Sequence, residues 1–373
     1  MLAKRGLSLF RIYTVKTVLL ALAATVGALT GAGSSAAAAS FTFTTGNPDG
    51  KIATLSRLAS AGKIQTETAD DFLLTETSVI NQATFTGLIP SGASLSAISD
   101  VEVEFYHVFP GDSNTNRTLT VPTRANSPGD VEIGAATRDG LTGTLSFNSE
   151  IVSALFSVSN SVVNGINRAT NQTTRGEGPI TGQAVLITVT FNPPIALPAG
   201  HYFFRPEVLL DGGDFFWLSA PRPIVAPGTP FLGDLQSWIR NDDLAPDWLR
   251  IGTDITLQGP FNAAFSLSGE TDLDGDGVGD SLDQCQETPA GSVVDFEGCS
   301  IDQLAPCVGP VQGGSWRNHG QYVSTVAKVS EQFVEQGLIT EAEQEAIVLN
   351  AAQSDCGRNV RELQSIKRRG HRH

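Results

Sequence analysis

Five aspartates, Asp272, Asp274, Asp276, Asp280 and Asp283, fall within one twelve-residue stretch. They stand at positions 1, 3, 5, 9 and 12 of a loop whose sixth residue is Gly277. Alternation lets a tight loop converge its side chains on one point. Ca²⁺ takes several hard oxygen ligands, and glycine at the sixth position allows the sharp turn. The carbonyl of Val278 is placed to be the backbone ligand. Without a cation, carboxylates at this spacing repel one another. A solvated acidic linker is the plainer alternative, but it needs neither the spacing nor the glycine. Calcium is the expected cofactor.

Catalytic patterns are harder to find. The five histidines, His107, His201, His319, His371 and His373, form no HExxH or other zinc spacing. No G-x-S-x-G elbow occurs. Gly279-Asp280-Ser281-Leu282 spells a lipase-like word, but it lies inside the acidic loop, where Asp280 has another task. Glycoside hydrolysis needs two carboxyl groups at a suitable distance. Glu102, Glu104, Glu207, Asp211 and Asp214 are the candidates for such a pair. Glu102 and Glu104 share one strand face, expected to be a solvated outer face. Asp70 and Asp71 are expected to satisfy turn and edge groups. His319 precedes a helix and is expected to cap backbone groups rather than act as ligand or base. Phe215, Phe216, Trp217, Trp238 and Trp248 suit either a sugar-binding aromatic face or a core, and the core is the expectation.

Cys285, Cys299, Cys307 and Cys356 are the four cysteines. Three pairings are possible, and in an exported chain two disulfides are expected. The local pairs Cys285–Cys299 and Cys307–Cys356 are favoured. A four-cysteine zinc site lacks any CxxC spacing.

The elements that position these residues follow from patterning. Only 17% of residues are charged while 40% are hydrophobic, which excludes a disordered chain. Lys4, Arg5, Arg11 and Lys16, an apolar run from Val18 to Leu29, and Ala36–Ala39 read as a secretory signal peptide over 1–39. No apolar run after it is long enough for a membrane span. The net charge of −15 excludes a nucleic-acid partner for the main body. Residues 40–268 alternate with period two, as in Val101–Tyr106 and Leu186–Phe191, between turns such as Pro90-Ser91-Gly92 and Asp211-Gly212-Gly213. That is mainly β structure, read as an antiparallel β-sandwich of jelly-roll type. Ile151 to Ile166 reads as a helix or an irregular strand, since its apolar spacing fits neither period cleanly. Residues 269–304 carry the calcium loop. Residues 305–357 form a small disulfide-stapled helical hairpin. Tyr322, Val326, Val329 and Phe333 mark one face, Gly337 ends the first helix, and Thr340 with Glu343 caps the second. Residues 358–373 are a basic tail, expected to be disordered.

The run Asp272-x-Asp274-x-Asp276-Gly277-x-x-Asp280-x-x-Asp283-x-Cys285 resembles a thrombospondin type 3 repeat. Thr288-Pro289-Ala290-Gly291 and Asp295-Phe296-Glu297-Gly298-Cys299 are similar to its bacterial form. The resemblance implies calcium ligands at Asp272, Asp274, Asp276, Asp280 and Asp283, with the Val278 carbonyl, and a second partial site at Asp295. Glu67–Phe72, Ala83–Leu88, Pro198–Tyr202 and Gly213–Leu218 resemble bacterial secreted β-sandwich domains of unassigned role. Trp316–Val323 resembles a cysteine-bounded tail that follows calcium repeats in bacterial extracellular proteins. Together these imply a secreted, non-catalytic calcium-binding protein in adhesion or cell-surface association, with extracellular polysaccharide or the cell envelope as partner. A carbohydrate-binding module and a secreted hydrolase acting through the sandwich are the alternatives.

Overall fold

A computed structural model describes residues 40–167, 173–221 and 233–358. The expected signal peptide and the basic tail after Arg358 lie outside the described residues. The chain first forms β1 (Ser40–Thr44), β2 (Ile52–Leu55), β3 (Thr66–Leu74), β4 (Ser78–Ile89), β5 (Ile98–His107) and β6 (Arg138–Asp139). There follow β7 (Leu145–Val158), β8 (Asn160–Val162), β9 (Ile180–Leu197), β10 (Gly200–Leu210) and β11 (Phe216–Ala220). The last strands are β12 (Trp238–Asn241), β13 (Leu249–Arg250), β14 (Asn262–Ala263) and β15 (Phe265–Thr271). Three helices end the described chain: α1 (Ile301–Leu304), α2 (His319–Glu335) and α3 (Glu341–Gln353).

The fold is mainly β and has two sheets. One sheet runs β13-β12-β3-β10-β5-β6. The other is built around β4, which pairs with β9 along one edge and with β15 and β11 along the other. Period-two patterning explains the core between them. Phe72, Phe105 and Phe204 of the first sheet meet Phe85, Ile187, Trp217 and Phe265 of the second in one buried cluster. Phe204 stacks on Phe265 with ring centroids 5.2 Å apart. Each such side chain contributes roughly 1.5–3 kcal/mol on burial.

One expectation needs correction, and one open alternative is decided in favour of an irregular strand. The first sheet does not have a solvated outer face. Tyr106, Phe203, Leu235, Trp238 and Trp248 form a second buried layer there, so β3 and β10 are covered on both sides. Ile151 to Ile166 belongs to β7, β8 and the turn after them, and β7 shifts register between Ile151 and Ser153 and again between Ser153 and Phe156. Bulges of this kind re-aim side chains and erase the period.

At the C-terminal end α2 buries Tyr322, Val326 and Phe333, while Val329 packs partly buried beside them. Gly337 takes φ +73°, and the Thr340–Glu343 capping box opens α3. Both local disulfides form, Cys285–Cys299 and Cys307–Cys356. Among the described residues no helix is long and apolar enough to cross a membrane.

Candidate metal centre

β15 leads straight into the acidic loop. Asp272 donates its N–H to the Thr77 carbonyl at 3.0 Å, which holds the loop's first residue on the end of the sandwich. Its carboxylate then accepts from the amides of Gly275 (2.8 Å) and Gly277 (2.9 Å), closing the turn over itself. Gly277 has φ +96°, a conformation that a side chain disfavours. Asp276 Oδ1 accepts from the Val278 amide at 2.8 Å. Asp274 Oδ2 accepts from the Thr288 amide at 2.7 Å.

These bonds leave one oxygen of each of two carboxylates over. Asp274 Oδ1 and Asp276 Oδ2 are buried without a hydrogen-bond partner. Asp272, Asp274 and Asp276 each place one carboxylate oxygen within 4.8 Å of the others, a cluster that can hold a metal ion. Buried oxygens without donors are costly unless a cation meets them. The crowding is also visible in proton affinity. Burial first, and then the charges of Asp274, Asp283 and Asp272, push Asp276 up to about 6. Burial and the neighbouring aspartates likewise raise Asp272 and Asp283.

The remaining expected ligands fall in different places. Asp283 lies beside the cluster: a Cβ on Gly298 would strike its Oδ1 and crowd Asp276 Oδ2. Asp283 Oδ1 itself accepts from the Cys285 amide at 2.7 Å. Asp280 is turned toward the strand, where it accepts from the Thr271 hydroxyl and, at 2.8 Å, from the Leu273 amide. It braces the junction of β15 with the loop and stands outside the three-carboxylate cluster. Val278 sits at the turn through its amide. Asp295 caps its own turn, accepting from Glu297 and Cys299 amides at 3.0 Å each. Thr288 and Gly298, which close the site from within the Cys285–Cys299 loop, were read in the sequence only as part of the repeat pattern, with no role at the site. Their place in the disulfide loop was the available signal.

The carboxylates considered for hydrolysis are engaged elsewhere. Arg205, 1% exposed, ion-pairs with Glu67 (3.2 Å), Glu102 (3.0 Å), Glu207 (2.5 Å) and Glu104. Arg240 joins Glu67 and donates to the Tyr106 hydroxyl at 2.8 Å. Glu102 and Glu104 are thus covered, contrary to the solvated face expected of them. Burial first, then the crowding of Glu67 and Glu102, holds Glu207 well above the usual carboxylate range despite Arg205. Arg205 was missed as a hub; its alternation with Glu207 along β10 was the signal. Asp214 pairs with Arg57 (2.7 Å) and Lys63 (2.8 Å), and Asp211 is exposed in the turn after β10. Asp70 accepts from the Ala263 amide (2.7 Å) and the Ser237 hydroxyl (3.0 Å). Asp71 accepts from the Leu235 amide (2.9 Å) and faces His201 Nε2 at 2.5 Å. His319 directs its ring nitrogens to the carbonyls of Cys356 (2.8 Å) and Ala352 (3.0 Å) at the end of α3. Phe215, Phe216, Trp217, Trp238 and Trp248 are all buried in the core layers. No family model matches the chain, and neither a curated protein nor a solved structure matches it.

Proposed function

We propose that this is a secreted calcium-binding protein without catalytic activity, whose acidic loop joins the sandwich rigidly to the helical hairpin and which acts in adhesion or cell-surface association. The observation that carries the calcium reading is the convergence of Asp272, Asp274 and Asp276 with two buried oxygens left without donors. Carboxylate oxygens and a backbone carbonyl form a hard donor set, and Ca²⁺ tolerates the irregular geometry of a loop better than Mg²⁺ does. Calcium there would neutralise the crowded carboxylates and tie β15 to the disulfide loop. The adhesion reading rests on the export signal, the resemblance to calcium repeats, and the buried aromatics, which leave no flat aromatic platform for sugar among Trp217, Trp238 and Trp248.

Two measurements test it. Calorimetric titration of the purified protein with CaCl₂ should give saturable binding that Asp274→Asn with Asp276→Asn abolishes; unchanged affinity would overturn the calcium site. Retention on cell envelopes and immobilised polysaccharides should vanish with chelator. Retention indifferent to chelator moves binding to the sandwich and leaves the metal as a structural joint.

A further inference from the structure

The two disulfides stand in opposite surroundings. Cys299 is 4% exposed, and its bridge to Cys285 lies among carboxylates. Asp283 accepts from the Cys285 amide at 2.7 Å, and Asp295 from the Cys299 amide at 3.0 Å. A thiolate approaching that bridge meets negative charge. The second bridge is open. Cys307 is exposed and Cys356 half-buried. Their bond borders a pocket of about 310 Å³ whose walls include Val308, Trp316, Asp355 and Arg358. Arg358 is held there by its Nε, which donates to the Ser354 carbonyl at 3.0 Å. Its acidic neighbour, Asp355, lies 3.6 Å away with a side chain 78% exposed. A cation beside a disulfide favours the thiolate that leaves it. This exposed bond also holds α3. Cys307 follows α1 and Cys356 follows α3, so it ties the two across 49 residues. α3 fully buries only Ala351, and Ile347 packs partly buried on the same small cluster. A core of that size depends on its staple.

We propose that Cys307–Cys356 is a site of thiol–disulfide exchange with a dithiol, and that its opening loosens α3 while Cys285–Cys299 stays closed. One thiolate of the dithiol attacks the sulfur of the exposed Cys307 and forms a mixed disulfide. The Cys307–Cys356 S–S bond breaks. Its electron pair leaves on Cys356 Sγ, in the pocket that Arg358 lines, and that sulfur then takes a proton. The second thiolate of the dithiol attacks its partner sulfur in the mixed disulfide and releases Cys307, which is protonated in turn. The dithiol departs as a disulfide, having given up two electrons and two protons. The chain keeps one bridge beside the acidic loop and loses the one that fastens the hairpin.

The test is reduction of the native full chain with dithiothreitol, quenched at intervals with N-ethylmaleimide and mapped by mass spectrometry. Cys307 and Cys356 should be labelled at least tenfold faster than Cys285 and Cys299. Arg358→Gln should slow that labelling at least threefold and leave the other pair unchanged. In the singly reduced, capped chain, amides of 346–353 should exchange hydrogen at least fivefold faster. Amides of β4 and β10 should keep their rates, which reports that the sandwich is intact. Cys307→Ser with Cys356→Ser should reproduce the exchange pattern without any label. Equal rates for the two bridges, or earlier opening of Cys285–Cys299, overturns the proposal. Unchanged exchange in 346–353 once Cys307–Cys356 is open also overturns it, because the bond then holds nothing that its loss releases.

Discussion

The backbone N–H of Thr288 donates to Asp274 Oδ2 at 2.7 Å, across fourteen residues of sequence. This bond makes the metal loop and the disulfide loop one unit. Gly298, at the far end of the Cys285–Cys299 bridge, closes over Asp283 and Asp276 from the other side. The shape of the carboxylate cluster therefore depends on a bond that is not part of it.

Removing the bridge with Cys285→Ser and Cys299→Ser should lower calcium affinity at least tenfold, measured by calorimetry, although no ligand changes. In the chain-entropy account the loop also loses about 3 kcal/mol of stability.

Gly298→Ala and Gly291→Ala separate strain from crowding. Both glycines have positive φ, +78° and +80°. A Cβ at Gly291 meets open space, whereas at Gly298 it meets the Asp283 and Asp276 carboxylates. Each substitution should cost about 1 kcal/mol or more through strain. Only Gly298→Ala should weaken calcium binding; equal affinities would show that Gly298 does not shape the site.

The acidic loop predicts a pH window. Asp276 is raised to about 6 from an ordinary 3.8. A raised carboxyl stabilises the metal-free fold fully below the unfolded value, and that contribution is lost as pH rises through about 6. Calcium needs the carboxylate form, so binding near pH 6 should release protons. The calcium-induced rise in Tm should be small at about pH 5 and larger at about pH 7.5. A rise independent of pH would contradict this.

In β10 of the first sheet, Arg205→Met should cost about 3–5 kcal/mol in urea unfolding, because it strands buried carboxylates. Glu207→Gln should cost little, about 1 kcal/mol or less. The amide keeps an acceptor for Arg205 Nη1 and Gln65 Nε2, and burial already disfavours the charge on Glu207.

What was legible in the sequence was local. The aspartates of the loop are contiguous, so their convergence could be read from spacing. The hairpin's capping box and the two disulfides could be read in the same way. Asp280 could not, because its partner Thr271 is set by where β15 ends. Glu102 and Glu104 were correctly placed on one strand face, but what covers that face comes from distant segments. Arg240 reaches Glu67 across 173 residues, and Trp248 donates to the Gly129 carbonyl across 119. Period two assigns faces; it does not say which faces meet water. In β7 the bulges break the period itself, so that even the element type was hidden.

β1 and β15 run antiparallel, with Ser40 opposite Glu270 at the end where β15 meets the loop. The chain thus enters and leaves the sandwich at neighbouring points. Tension drawn between those points peels this strand pair open one hydrogen bond at a time, as a zipper opens, instead of shearing it along its length. Load between these ends therefore falls first on the Ser40–Glu270 pair beside the acidic loop.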